Sequence, residues 1–125
     1  CGNSLNENIE IGQIEGGFVQ GLGWLTCEEL YFSKEGKLLT TGPSTYKLPG
    51  SRDTPSIFNV KLLENADNDE KTIFRSKAVG EPPLLLAISH FLALKEAIKV
   101  ASSSSNPEIL NSPATPSEIL KAINS

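Results

Sequence analysis

The stretch Gly80-Glu81-Pro82-Pro83 constrains this chain more than any other. A carboxylate stands between a glycine, which frees the backbone, and two prolines, which fix φ and remove two N–H donors. The apolar run Leu84 to Leu94 follows at once. Proline is tolerated in the first turn of a helix, where its missing N–H has no partner to lose. The spacing predicts a helix entered at Glu81 and ending near Ala101. Leu84, Leu85, Ile88, Phe91, Leu92 and Leu94 cover more than one face, which predicts that this helix is largely buried. Two roles are open to Glu81. It is either a negative charge matched to the start of its own helix, or a general base held on a stiff corner.

An earlier helix is predicted from about Ile9 to Leu30. Ile11, Ile14, Phe18, Leu22 and Leu25 recur at spacings of three and four and make one apolar face. Gln13, Gly16, Gly17 and Gln20 make a second stripe, bare except for two amides on the same side. Gly12, Gly16, Gly17 and Gly21 each cost a helix roughly 1 kcal/mol relative to alanine, so something must approach that backbone closely. A second helix packed on the glycines satisfies that need, and so does a ligand. A membrane dimer of the Gly-x-x-x-Gly type does not suit Gln13, Glu15, Gln20 and Glu28-Glu29.

Between the helices the pattern changes. Tyr31-Phe32-Ser33 and Lys37-Leu38-Leu39-Thr40 flank Lys34-Glu35-Gly36 as a hairpin would. Residues 42–56, rich in Gly, Pro, Ser and Thr, read as a long ordered loop or as extended edge structure. Phe58 to Leu63 and Thr72 to Ser76 are strand candidates, with a polar, acidic turn between them. Ser102 to Ser105 with Asn106-Pro107 is a flexible break. A short final helix starts at Pro116 with Thr115 as N-cap. The predicted fold class is therefore α+β: two long helices, a short mainly antiparallel sheet between them, and a short C-terminal helix.

The totals exclude several functions. At 125 residues the chain is one domain at most, and its net charge of −4 does not suit nucleic acid or an anionic membrane surface. No apolar run approaches the roughly 20 residues that span a bilayer. Cys1 and Cys27 are too few for an iron–sulfur cluster, which takes about four thiolates, and they suit a reducing compartment. With His90 the only histidine, no protein-only metal site of the zinc type is expected. Cys27 is expected to serve helix packing, and His90 to occupy a helix without a ligand role. Methionine is absent even from position 1, so the expectation is an internal or trimmed piece. Residues alone leave Glu81 as the candidate catalytic group and the Gln13/Gln20 glycine stripe as the candidate contact surface. They also suit an α+β interaction module without chemistry, its glycine stripe docking a partner helix.

Ser76-Lys77-Ala78-Val79-Gly80-Glu81-Pro82-Pro83-Leu84-Leu85-Leu86-Ala87 resembles the active-site segment of the molybdenum hydroxylases, the xanthine dehydrogenase and aldehyde oxidase family. Four more segments match in the family's order. They are Ser4-Leu5-Asn6, the run Ile11 to Gly23, Gly42-Pro43-Ser44-Thr45-Tyr46-Lys47-Leu48-Pro49, and Ser112-Pro113-Ala114-Thr115-Pro116. Glu7-Asn8-Ile9-Glu10 departs from the family's usual proline, alanine and aspartate. Val79 and Pro43-Ser44-Thr45-Tyr46-Lys47 look more like xanthine dehydrogenases than aldehyde oxidases, and the whole is most similar to the bacterial type.

The resemblance implies that residues 1–125 are the C-terminal segment of a molybdopterin-binding domain. The parent would oxidise a purine, xanthine or hypoxanthine, with an aldehyde as the rival substrate. Glu81 would be the general base that takes the proton from the metal-bound hydroxyl. Gln13 would lie near the metal's oxygen ligands, and the Gly80 backbone would lie against the site. No residue of this chain would ligate the metal. Iron–sulfur and flavin (FAD) modules would sit on other domains or subunits, in a cytoplasmic enzyme. The segment alone would bind no cofactor and would not turn over. It would self-associate through apolar faces, such as those at Trp24 and Phe18, meant for the remainder of the subunit.

Overall fold

The computed structural model of the chain describes residues 1–102 and 110–125. Three α-helices order it: α1 (Glu7–Thr26), α2 (Ile88–Ala101) and α3 (Pro116–Asn124). Short 3-10 segments occupy Ile73–Arg75 and Pro82–Ala87. The break expected after α2 lies outside the described residues, apart from Ser102, which ends α2 in extended conformation.

α1 begins where Asn6, extended at φ −154°, accepts the Ile9 N–H on its side-chain oxygen at 3.3 Å. That bond satisfies one of the orphan donors of the first turn, so the unusual entry sequence Glu7-Asn8-Ile9-Glu10 does not prevent a capped start. The helix ends at Thr26, short of the expected Leu30. The Thr26 hydroxyl donates to the Leu22 carbonyl at 2.7 Å, and Cys27 leaves the helix at φ −139°.

The second predicted helix is two elements. Pro82 and Pro83 cannot donate, and the first available amide, that of Leu84, reaches only as far as the Glu81 carbonyl at 2.9 Å. This i→i+3 bond winds Pro82–Ala87 as 3-10 helix before α2 takes over. The predicted burial is one-sided. Ala87 is fully enclosed, but Leu85 is 64% exposed and Leu86, Ile88 and Leu92 are exposed too, because α1 and α3 cover only part of the surface.

Two packing centres result. Ile98, Leu110, Ala114 and Ala122 form the buried cluster, with Phe91, Leu94, Ile119 and Ile123 packed against it, so α2 and α3 share a core. α3 starts as its sequence predicts, with the Thr115 hydroxyl accepting the Glu118 N–H. The Ala114 N–H donates to the Leu25 carbonyl at 2.7 Å and ties this core to the end of α1. The second centre is the contact of α1 with Pro82–Ala87.

The expected α+β class, with its short antiparallel sheet, is not what the chain forms. Among the described residues there are helices and two isolated antiparallel bridges, Gly2 with Ser76 and Phe32 with Leu38. At 31–40 the turn itself is present: Gly36 takes φ +80° and the Ser33 N–H donates to the Lys37 carbonyl at 2.8 Å. The ladder stops because side chains take the places of backbone partners. The Ser33 hydroxyl accepts the Glu35 and Lys37 amides, and Thr40 Oγ1 accepts the Tyr31 N–H. At 72–76 the alternation is broken by left-handed backbone at Phe74 and Arg75 (φ 53° and 56°). Phe58 to Leu63 has no strand alongside it among the described residues, and a lone extended segment cannot satisfy its own backbone.

Residues 42–56 form the loop of successive turns. Gly42 accepts the amides of Thr45 and Tyr46, and Asp53 accepts the Gly50 N–H and the Lys47 ammonium. The Tyr46 hydroxyl donates to the Glu28 carboxylate at 2.6 Å, fastening the loop to the segment after α1.

A Cβ at Gly21 would collide with the Leu84 carbonyl oxygen and come within 2.8 Å of Ala87 Cβ, whereas one at Gly16 would meet nothing within 4 Å. Gly21→Ala should therefore lower stability by about 1–3 kcal/mol, while Gly16→Ala should raise it by roughly 0.5–1 kcal/mol. Urea midpoints that move alike for the two variants would contradict the packing. The bond to Glu28 also holds the Tyr46 phenol above its ordinary range. The contact is thus present in full below the ordinary phenol pKa and is lost as pH rises through the raised value. Difference absorbance titration against Tyr46→Phe should reveal one late-ionising phenol, and an ordinary titration would remove the contact from the fold.

Candidate functional site

Gln13, Gly17 and Gly21 are spaced by four in α1 and share one face. Pro82–Ala87 lies on that face. A Cβ added at Gly17 would sit 3.2 Å from Pro83 Cβ, and one at Gly21 would meet Leu84 and Ala87. Since Gly17 meets Pro83 and Gly21 meets the residues after it, the two elements run in the same sense. The residues that precede Gly17 and Pro83 therefore lie toward the same end of the contact. Those residues are Gln13 on α1, and Gly80 and Glu81 on the approach to the 3-10 helix. All three are exposed.

The glycine stripe serves two ends. Gly17 and Gly21 are the seat for Pro83 and Leu84, which is the packing role the sequence left open. Gly12 and Gly16 have open space where a Cβ would project, so the stripe continues past the seat as bare, accessible helix surface. Gln20, the second amide, is half-buried.

Glu81 does not cap its helix. Its backbone is helical (φ −83°, ψ −8°), and its carboxylate makes no capping hydrogen bond. The six-residue 3-10 helix it precedes runs directly into α2, so the aligned peptides favour a negative charge at Glu81 without fixing where its carboxylate points. The carboxylate is placed by its backbone instead. Pro83 holds one side against Gly17, and Leu84 N–H binds the Glu81 carbonyl.

The other side is tied to the first residues of the chain. Lys77 N–H donates to the Cys1 carbonyl at 2.8 Å, and Asn3 N–H donates to the Arg75 carbonyl at 3.1 Å. The Asn3 side-chain amide donates to the Phe74 carbonyl at 3.1 Å. Asn68, buried, donates its N–H to the same Arg75 carbonyl, and its own carbonyl accepts the Arg75 guanidinium at 3.1 Å. The first residues are fixed in turn by the buried Glu10 of α1. Its carboxylate accepts the Leu5 N–H at 3.3 Å and the Cys1 thiol at 3.6 Å. Sequence reading missed Gly2, Asn3, Glu10 and Asn68, because their partners are remote and no local pattern marks them.

Beside this end lies an apolar crevice of about 680 Å³ lined by Ile14, Phe18, Phe58, Pro82, Pro83 and Leu86. Phe18 and Phe58 meet there with ring centroids 5.3 Å apart. A separate cleft of about 740 Å³ includes Cys27, His90, Leu22, Leu94 and Ile119 in its lining. His90 is half-buried on α2, and Cys27, a free thiol, sits just past α1. Among the described residues no three His, Cys, Asp or Glu side chains gather as metal ligands would. Among the described residues no helix is long and apolar enough to cross a membrane.

The open backbone at Gly12 and Gly16, the Gln13 amide and a carboxylate without a capping bond thus lie toward one end of the contact. Comparison with known proteins gives the family. A family model described as "Molybdopterin cofactor-binding domain" matches residues 1–55. The xanthine dehydrogenase/oxidase of Felis catus is 55% identical across 97% of this chain and 10% of its own length. That of Rattus norvegicus is 52% identical across 97% of this chain and 9% of its own. Xanthine dehydrogenase 2 of Arabidopsis thaliana is 52% identical across 97% of this chain and 10% of its own. The chain thus spans about a tenth of the length of these relatives. All three are eukaryotic and bear on the family, without favouring the bacterial type. With over half of its residues shared along nearly its whole length, the chain belongs to the molybdenum hydroxylase family.

Proposed function

We propose that residues 1–125 are the C-terminal segment of the molybdopterin-binding domain of a xanthine dehydrogenase, and that they carry the proton-accepting side of its active site. One observation supports this best. Pro82–Ala87 docks on Gly17 and Gly21 in the same sense as α1, so Gln13 and the Gly80-Glu81 corner share one end of the contact, next to the bare surface of Gly12 and Gly16. That surface fits a flat, polar cofactor approaching the helix backbone, with Gln13 as hydrogen-bond donor and Glu81 as proton acceptor.

When bound, molybdopterin-molybdenum supplies the oxygen nucleophile and takes up the electrons removed from the substrate carbon. The Glu81 carboxylate receives the proton given up as carbon–oxygen bonding develops. A weak base suffices when it is within hydrogen-bond reach of an acidified proton. Its oxygens are not engaged in capping, so they keep their lone pairs for that task. The Gln13 amide donates an N–H toward the oxygen side of the cofactor without adding a charge. Gly80, with no side chain, lets the backbone lie close to the group.

The substrate is a purine, xanthine or hypoxanthine, and the parent is a cytoplasmic enzyme of purine catabolism. Relatives named as xanthine dehydrogenases support this over an aldehyde. The electrons leave through iron–sulfur and FAD modules on other domains or subunits. The 125-residue segment alone holds no cofactor and does not turn over.

In the full-length protein, Glu81→Gln should lower xanthine turnover by about 10²–10⁴-fold with molybdenum content unchanged. Gln13→Ala should cost up to about 10²-fold. Near-wild-type rates for Glu81→Gln on purines and aldehydes alike would reject the assignment. The isolated segment exposes Trp24 (51%), Leu85 (64%) and Val100 (88%), surfaces that suit cover by the remainder of the domain. Sedimentation of the segment should show self-association, and a stable monomer at high concentration would favour a free-standing interaction module instead.

A further inference from the structure

We propose that Gly2 is a positioning residue for Glu81, acting through the turn at Phe74-Arg75. The inference rests on the role of Glu81 proposed above and adds how the carboxylate is held. Between the clamp at Lys77 and the docked Pro83, the chain runs through Ala78, Val79, Gly80 and Glu81. Where this short span carries Glu81 depends on where both of its ends are fixed. The proline end is fixed on Gly17 of α1. The other end is fixed by Cys1, Gly2 and Asn3, which bond Lys77, Arg75 and Phe74 and pair with Ser76.

Gly2 is the one position in that clamp that admits no side chain. Its φ is +67°, a region that L residues with side chains rarely adopt. A Cβ there would run into the Arg75 carbonyl oxygen, the same oxygen that accepts the Asn3 and Asn68 amides. The clash is with backbone and cannot be relieved by a rotamer change. Arg75 and Phe74 are themselves in left-handed backbone (φ 56° and 53°), a conformation that non-glycine residues keep only when their surroundings over-determine it. Displacing the Arg75 carbonyl removes that support, frees Lys77 from the Cys1 carbonyl and lets the span 78–81 move. At its other edge the clamp rests on Glu10 of α1, through Leu5 and Cys1. Both ends of the span are thus referred to the same helix, the one that carries Gln13. The carboxylate and the amide are held in one frame although 68 positions separate them in the sequence.

The test is a double-mutant cycle in the full-length, cofactor-loaded protein, read by kinetics and by hydrogen exchange. Gly2→Ala should lower kcat for xanthine by about 10²-fold, with KM changed less than about threefold and molybdenum content retained. Amides 75–81 should exchange faster while those of α2 and α3 do not. In a Glu81→Gln background, Gly2→Ala should produce no further loss, because a displaced carboxylate and an absent one are equivalent. Equal fold-losses in both backgrounds, or unchanged exchange at 75–81, would overturn the role of Gly2 while leaving Glu81 as the base. A Glu81→Gln variant with near-wild-type rate would instead remove the base, and with it this proposal. Should Gly2→Ala fail to accumulate or to load molybdenum, Asn3→Ala decides by the same cycle. It deletes only the side-chain bond to the Phe74 carbonyl and should give a smaller loss of the same non-additive kind.

Discussion

The seating of Pro83 and Leu84 on Gly17 and Gly21 is the contact on which the rest of this structure depends. A side chain at Gly21 would hold the 3-10 helix away, because the Leu84 carbonyl already fills the space that a Cβ would take. With the glycines in place, backbone meets backbone and Ala87 is fully enclosed. Everything downstream takes its position from this seat. The 3-10 helix leads directly into α2, α2 packs on α3 through Ile98 and Ala122, and the Ala114–Leu25 hydrogen bond brings that layer back to α1. Upstream, the same seat fixes the far side of the Gly80-Glu81 corner.

The helical part of this arrangement was legible because its determinants are local. Thr115 is a capping residue at the helix start it marks, and the three-and-four spacing along α1 runs through half-buried Ile11, Ile14, Phe18 and Leu25 to buried Leu22. The proline pair marks a helix entrance, although not the tight winding that follows. The winding follows from the i→i+3 bond between the Leu84 N–H and the Glu81 carbonyl, whereas the seat of Leu84 on Gly21, 63 positions away, shows only in three dimensions. The expected sheet does not form because its partners, too, are not local. Alternation at 58–63 and β-rich composition at 72–76 report a preference, but a ladder needs a partner strand. At 31–40 hydroxyls replaced the carbonyl partners, and at 74–75 left-handed backbone ended the alternation. The candidate site divides likewise. Gln13, Gly80 and Glu81 could be named from their own segments, but the clamp at Cys1 to Asn3 is visible only in three dimensions.

Glu81 is exposed, and that exposure agrees with the way it is held. A carboxylate can be fixed by donors to its own oxygens or by the backbone that carries it. Donors to the oxygens would compete with the proton that a base must receive. Here the backbone is constrained on both sides, by the prolines on α1 and by the hydrogen bonds at 74–77, while no capping bond engages the side chain. The apolar crevice at Phe18, Phe58 and Pro83 lies against the docked element. Glu81 is not among the residues that line it.

The distribution of glycines in α1 separates packing from other demands. Each glycine inside a helix costs roughly 1 kcal/mol relative to alanine, so each needs a return. Gly17 and Gly21 have one within this chain, since any side chain there would displace the 3-10 helix. Gly12 and Gly16 have none. A Cβ at either would meet nothing within 4 Å, and alanine there would stabilise the helix at no steric cost. A fold shaped only for its own stability would carry side chains at both positions. They flank Gln13, whose amide is exposed on the helix face that leads into the seat. Their return must come from outside this chain, and a cofactor approaching the helix backbone, as proposed above, would supply it.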